Sequence, residues 1–300
     1  MNRTFVYEIN EKDSPVSVES FLKARGYSRQ VIIQLKKTTN GITVNGQWAY
    51  VRTMLQPGDT LRIFLEETSS SEHIPPVPLP LHIVYEDEDI LVLNKPSDMP
   101  VHPSINNYEN TLANAVAWHY RSAGEEFVFR CINRLDRDTT GLLIVARHAL
   151  SASILSTQMK ERKIHRTYLA LCTGPVRPSK GTIDAPIGRK ADSAIERCVD
   201  RENGERAVTH YEVVEEGYPY SLVRLKLDTG RTHQIRIHMQ HMGAPLPGDY
   251  LYNPDFSHID RVALHSSELT FTHPVTQETV HFHAPLPEDM KRALHPEKEM

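Results

Sequence analysis

Ile132-Asn-Arg-Leu-Asp136-Arg-Asp-Thr-Thr-Gly141 runs directly into Leu142-Leu-Ile-Val-Ala146, so a loop with two acids and two arginines precedes a wholly apolar run. The apolar run has the length of a buried strand. The loop holds a carboxylate near guanidinium groups, which favour its ionised form and keep it ready as a nucleophile or base. Read alone, the same residues also fit a surface turn, with Asp138 and Thr139 bonding the local backbone and Arg134 and Arg137 solvated. Outward from this stretch, Ile90-Leu-Val-Leu reads as a second buried strand, and Ser221 to Leu227 alternates Leu/Val with Arg and Lys in period two. Leu112, Ala115, Val116 and His119 mark one helix face, and Leu150, Ile154 and Met159 another. No regular strand–helix–strand repeat emerges. The expected fold is therefore α+β, a mixed and mostly antiparallel sheet with flanking helices.

Glu66 to Pro80 combines a polar stretch with four prolines, the composition of an extended connector. We expect a small α+β module over residues 1–66, a linker over 67–80, a large domain over 81–288 and a charged, frayed tail over 289–300. Within the module, Val18-Glu-Ser-Phe-Leu-Lys and Val31-Ile-Ile-Gln-Leu-Lys read as short helices, Ile42-Thr-Val-Asn-Gly46 as a strand into a turn, and Pro57-Gly-Asp59 as a turn before Leu61-Arg-Ile-Phe. The chain has 300 residues, 39% hydrophobic and 24% charged, which suits two unequal folded domains and excludes a disordered chain. The net charge of −4 hides a local field: from Ser20 to Arg62 seven basic residues face the single acid Asp59, a net +6. The start has no basic segment leading into an apolar one, and no apolar run approaches the roughly 18 residues of a membrane span. We expect a cytoplasmic protein. Cys131, Cys172 and Cys198 are too few and too widely spaced for a disulfide framework and read as reduced, buried thiols.

Arg134-Leu-Asp136-x-x-Thr139-Thr140-Gly141 resembles the signature of the RNA pseudouridine synthases that include the large-subunit rRNA enzymes, usually written His-Arg-Leu-Asp-x-x-Thr-Ser-Gly. Asn133 and Thr140 depart from it, and both keep a polar side chain. Ile90-Leu-Val-Leu-Asn-Lys95-Pro96 with Pro100-Val-His102-Pro103, Lys163-Ile-His-Arg-Thr-Tyr168-Leu-Ala, and Thr229-Gly-Arg-Thr-His-Gln-Ile-Arg236-Ile-His resemble other motifs of that family, in the expected order. Ala263-Leu-His265 and Phe271-Thr-His-Pro274 extend the likeness toward the end, so it runs from about Pro80 to Pro287.

The resemblance implies the pseudouridine synthase fold and an isomerisation of uridine. The N1 to C1′ bond breaks, the base turns, a C5 to C1′ bond forms and the C5 proton leaves. Nothing is oxidised or added, so no cofactor or metal is expected. The resemblance makes Asp136 the carboxylate that attacks C1′ or abstracts the 2′ proton, a choice the sequence leaves open. It makes Arg236 the partner of that carboxylate and Tyr168 the aromatic that stacks on the base and accepts the C5 proton. Lys95, Pro96 and His233 become supporting positions. Without the family, Tyr168 would read as a core residue and Arg236 as a solvated charge on a helix starting at Thr232, burying Ile235, Met239 and Met242 and ending at Gly243. His233, His238 and His241 invite a metal reading, but their spacing matches no ligand pattern and no Cys or Glu completes a set.

The first module resembles the S4 RNA-binding domain in Phe21-Leu-Lys, Gly26-Tyr-Ser-Arg29-Gln-Val-Ile, Gly41-Ile-Thr-Val-Asn-Gly46 and Pro57-Gly-Asp59. Arg25, Arg29, Lys36 and Lys37, with Arg134 and Arg137 of the central loop, are the expected RNA contacts. Phosphate contacts of this kind give affinity and salt dependence with little sequence discrimination. The partner is expected to be rRNA, or tRNA, and the protein a monomer. Two alternatives share these features: a non-catalytic RNA-binding or ribosome-assembly protein, and a glycoside hydrolase whose carboxylates, such as Asp136 and Asp138, would lie about 5 to 9 Å apart.

Overall fold

Leu61, Ile63 and Leu65 alternate with outward-facing neighbours, and this period-two face is the base on which the first 66 residues are built. The computed structural model describes residues 2–296 other than 14, 68, 69, 72, 192 and 194. Its first elements are β1 (Asn2–Glu8), β2 (Val16–Ser17), α1 (Val18–Ala24), α2 (Arg29–Lys37), β3 (Ile42–Val44), β4 (Gln47–Trp48), β5 (Met54–Leu55) and β6 (Thr60–Glu66). A four-stranded sheet in the order β1-β6-β3-β4 packs its apolar face on the two helices. Ser17 and Ser28 cap those helices, their hydroxyls accepting from the amides of Ser20 and Val31. Asn45 and Gly46, both at positive φ, make the tight turn between β3 and β4. The helices, strand and turns expected here all form.

The rest of the chain contributes β7 (Ile83–Glu86), β8 (Ile90–Lys95), α3 (Leu112–Ser122), β9 (Thr140–Ala146), α4 (Ala149–Lys160), β10 (His165–Thr173), β11 (Lys180–Asp184), β12 (Ile187–Arg189) and β13 (Arg197–Val199). Then follow β14 (Val208–Glu215), β15 (Tyr220–Leu227), α5 (Gln234–His241), β16 (Leu264–Thr272), β17 (Thr279–His283) and α6 (Glu288–Leu294). Nine strands form one sheet in the order β11-β14-β15-β10-β16-β9-β8-β7, with β17 beside β16. The sheet is mixed and mostly antiparallel, its parallel pair being β9 with β16. The α+β expectation agrees with this. β9 is buried along its whole length, as a wholly apolar strand requires. Among the described residues no helix is long and apolar enough to cross a membrane.

Three details differ from the expectations. Helix α4 buries Leu150, Ser151, Leu155 and Gln158, while Ile154 and Met159 are half-buried, because its inner face is turned by about one residue from the assumed one. Residues 288–294 are not frayed: they form α6, whose Met290, Ala293 and Leu294 pack on Leu171, Tyr220 and Leu222. The last four residues of the expected tail lie outside the described ones. The connector is extended but not free: Ile74, Leu79 and Leu81 pack on the large core, and the amide of Val77 donates to the carbonyl of Asn114.

The two parts of the chain also touch. Arg3 of β1 holds the Asp89 carboxylate through Nε and Nη2 at 2.9 and 3.3 Å, and His148 meets the same carboxylate at 2.9 Å. Leu150 of α4 is buried among the apolar residues of the first module.

Candidate active site

The loop from Asn133 to Thr139 is strapped down from both sides. Lys95, at the end of β8 and fully buried, donates to the carbonyls of Pro96, Met99 and Arg137 at 2.8, 2.9 and 2.7 Å. Burial pushes its pKa down to about 7, against the pull of Asp138 and Asp136. Asn133 accepts from the amide of Ile144 at 2.9 Å and donates to the carbonyl of Leu142, so its side chain closes the loop onto β9. The departure from the family pattern at this position therefore acts on the loop's anchor. Gly141 is required: at φ 110° a Cβ there would sit 2.2 Å from the carbonyl oxygen of Ser266. Thr140, the second departure, meets Nδ1 of His265 at 2.9 Å. Asp136 stands at the crest of this turn, about a third exposed.

Under it lies the N-terminal end of α5. His233 takes the left-handed conformation at φ 58°, which swings the chain from the Thr229–Thr232 turn into the helix. Six consecutive residues, Gln234 to Met239, are buried, so Arg236 is enclosed at 3% exposure rather than solvated. Its Nε and Nη2 donate to the two oxygens of Asp249, both at 2.6 Å, and its Nη1 donates to Asp136 at 3.0 Å. One face of its guanidinium lies 4.9 Å from the Tyr252 ring. Burial alone would lower the Arg236 pKa, but hydrogen bonds and charge from Asp249 and Asp136 outweigh it and hold the pKa above its ordinary value. His233 joins Tyr252 through Nδ1 at 2.9 Å and lies 3.9 Å from Asp136. Burial lowers its pKa despite the nearby Asp136, which favours the neutral ring.

Tyr168, on β10 and 4% exposed, lines a small pocket of about 80 Å³ together with Asp136, Arg236, Leu264 and Ile235. That pocket opens into a cleft of about 1100 Å³, and Asp136 stands on the wall of both. The three residues expected to act together do meet. Along the cleft Arg134, Lys160, Arg162, His165, Arg166 and Arg231 outnumber Asp136 and Asp228, a lining suited to a polyanion.

The other expected RNA contacts lie elsewhere. Arg137 lines neither space; its Nε is held by Asp98 at 3.0 Å and Asp138 at 3.3 Å. Arg25 is bound to Asp13 and stacked on Phe21 at 3.5 Å. Arg29 and Lys36 border a shallow groove with Ile32, Ile33 and Val51, and Lys37 is exposed at the end of α2. Pro96 supports the loop through its carbonyl alone. The three histidines of the metal reading diverge, since His238 bridges Thr209 and the carbonyl of Ala185.

Sequence reasoning missed Asp249, Tyr252, Lys160, Arg162 and Arg166. Asp249 follows a glycine in what reads as an ordinary turn, and only the fold brings it under α5. Arg166 stands inside the Tyr168 motif and Arg162 just before it, so a count of basic residues in and around that motif would have found them.

Comparisons with known proteins identify the family. A family model described as RNA pseudouridylate synthase matches residues 89–241. The RNA pseudouridine synthase YjbO of Bacillus subtilis is 40% identical over 279 residues, covering 93% of this chain and 98% of that protein. The ribosomal large subunit pseudouridine synthase D of Pasteurella multocida is 38% identical over 265 residues, covering 83% of this chain and 81% of its own. Among solved structures, human RNA pseudouridylate synthase domain containing 1 superposes with a TM-score of 0.59 at 32% identity, covering 70% of this chain and 85% of that one. A match over half of the chain, relatives alike over nearly all of it and a shared fold lead to one conclusion: the chain belongs to the RNA pseudouridylate synthase family.

Proposed function

We propose that this pseudouridine synthase isomerises uridines in large-subunit ribosomal RNA, with Asp136 as the catalytic carboxylate. The observation that carries the reading is the arrangement at the mouth of the small pocket. Arg236, locked by Asp249, aims Nη1 at Asp136 where a basic cleft narrows to a space lined by Tyr168. The RNA backbone lies in the cleft and the target base, flipped or already unpaired, enters the pocket at a cost of a few kcal/mol. Asp136, held in direction by Arg236, attacks C1′ or takes the 2′ proton, and the N1 to C1′ bond breaks. The freed base turns against Tyr168; C5 attacks C1′ and expels the Asp136 carboxylate, or adds to the glycal as the 2′ proton returns, and the C5 proton leaves to solvent, relayed by the Tyr168 hydroxyl as it gives up its own proton. Residues 2–66 act as an S4-like RNA-binding module, and the protein works as a cytoplasmic monomer. The named rRNA substrate of the Pasteurella relative supports the choice of RNA.

The test is tritium release from large-subunit rRNA labelled at uridine C5. Asp136→Asn is expected to lower the rate at least about 10³-fold while the protein stays folded. Full activity in that variant would discard Asp136 as the catalytic group. Mapping pseudouridines in cells with and without the protein identifies the RNA, and sites lost only from tRNA would move the substrate there.

A further inference from the structure

Arg166 precedes Tyr168 by two residues on β10 and lines both the cleft and the small pocket. Two arginines beside it are tied to carboxylates, Arg236 to Asp249 and Asp136 and Arg231 to Glu205, whereas Arg134 and Arg162 of the cleft are not. The Arg166 side chain likewise makes no ion pair and no hydrogen bond among the described residues, and of these unpaired arginines it is the one with a buried, acceptorless nitrogen. Its Nε is buried without an acceptor. Gly230 lies against its guanidinium, and a Cβ there would stand 3.4 Å from Nη1. That spacing is ordinary contact, and the guanidinium stands at the junction of the two spaces. Thr139, in the same pocket, also has a buried hydroxyl without a partner.

Leaving buried donors unsatisfied costs about 1–3 kcal/mol, and more for a charged group. A fold tolerates that where a ligand supplies the acceptor. A phosphate oxygen pair matches both the charge and the fork of a guanidinium, whereas a uracil carbonyl offers an acceptor without the charge. Position narrows it further. The base occupies the small pocket and the backbone the cleft, so the group at their junction meets the phosphate next to the flipped nucleotide.

We propose that Arg166 binds a phosphodiester flanking the target uridine and so fixes the depth to which the base enters the pocket. This rests on the reading of the cleft as the RNA site. The experiment uses a synthetic rRNA stem-loop containing the mapped target uridine, unmodified or with one neutral methylphosphonate on its 5′ or 3′ side. Wild type, Arg166→Lys and Arg166→Ala are compared by tritium release.

The expected result is a KM raised about tenfold or more in Arg166→Ala, with kcat within about threefold and partial rescue by lysine. One methylphosphonate should weaken wild type by a similar factor and leave Arg166→Ala nearly unaffected. Equal methylphosphonate penalties in both proteins overturn the proposal, as does a wild type indifferent to both substitutions. Because the probe alters the RNA, these outcomes hold even if the alanine variant folds poorly, when the lysine variant takes its place. A wild type inactive on the unmodified stem-loop instead refutes the proposed function itself.

Discussion

Arg236 and Arg166 line the same small pocket, yet Arg236 is gripped by two carboxylates while Arg166 has no partner among the described residues. The contrast extends to their surroundings. Around Arg236 the ionic and polar groups Asp249, Asp136, His233 and Tyr252 satisfy one another, so the field at Asp136 is set before any RNA arrives and needs no rearrangement during the reaction. Along the cleft Arg134, Lys160, Arg162 and Arg166 have no carboxylate partner among the described residues, and their positive field attracts RNA phosphates. Under the proposed function, the charges that act on the reacting atoms are paired internally, and those that recognise the substrate are left unpaired.

The largest effect should come from breaking the paired side. Asp249→Ala leaves Arg236 buried with half of its ionic partners, and about 3–5 kcal/mol of stability should be lost with most of the activity. Thermal unfolding together with tritium release checks this; a variant as stable and active as wild type would show that Arg236 does not depend on Asp249 for its direction.

A smaller effect should come from the unpaired side. Replacing Lys160 and Arg162 by alanine should leave kcat unchanged and reduce the slope of log affinity against log salt by about one per residue. The same change in Arg29 and Lys36, which border a different groove, separates binding by the first module from binding in the cleft. An unaltered salt slope in the first pair would remove those residues from the RNA path.

Near neutral pH the smallest effect concerns the Thr140–His265 contact beside the loop, which shows only in acid. Burial pushes His265, the partner of Thr140, down to about 4. Free imidazole gains its proton below about 6.5, so between these values the unfolded chain binds more protons than the folded one. The stability from neutral His265 is complete above about pH 6.5 and falls as the pH drops toward 4, by on the order of 3 kcal/mol. His265→Gln should flatten Tm against pH over that window; parallel curves for variant and wild type would exclude this residue as the source.

Much of the site was legible as ordered motifs, because Asp136, Tyr168 and Arg236 each stand in a local pattern. The depth of Arg236 was not. Helical periodicity assigns a charged residue to the wet face, but α5 is covered on several sides at once, by Thr209 and Ala185 through His238 and by the turn carrying Asp249. A pattern with one apolar stripe cannot report a helix buried all round. Nor could charge counting separate Arg137, a few residues from the site yet turned away, from Arg166, since pairing depends on which carboxylates the fold brings within reach.

By itself the amino-acid order determined the α+β class, the buried strand after Gly141 and the two helices of the first module, while the resemblance of its motifs singled out Asp136 as the proposed carboxylate. Local patterns suffice for these because each depends on neighbours in the chain. Only the tertiary structure decided that Asp249 steadies Arg236, that Asn133 and Lys95 strap the loop, and that Arg166 stands unpaired at the junction of cleft and pocket. The contacts that join Asn133 to Ile144, Asp249 to Arg236 and Lys95 to Arg137 span 11, 13 and 42 positions, governed by burial and charge compensation in three dimensions, for which no local pattern is available.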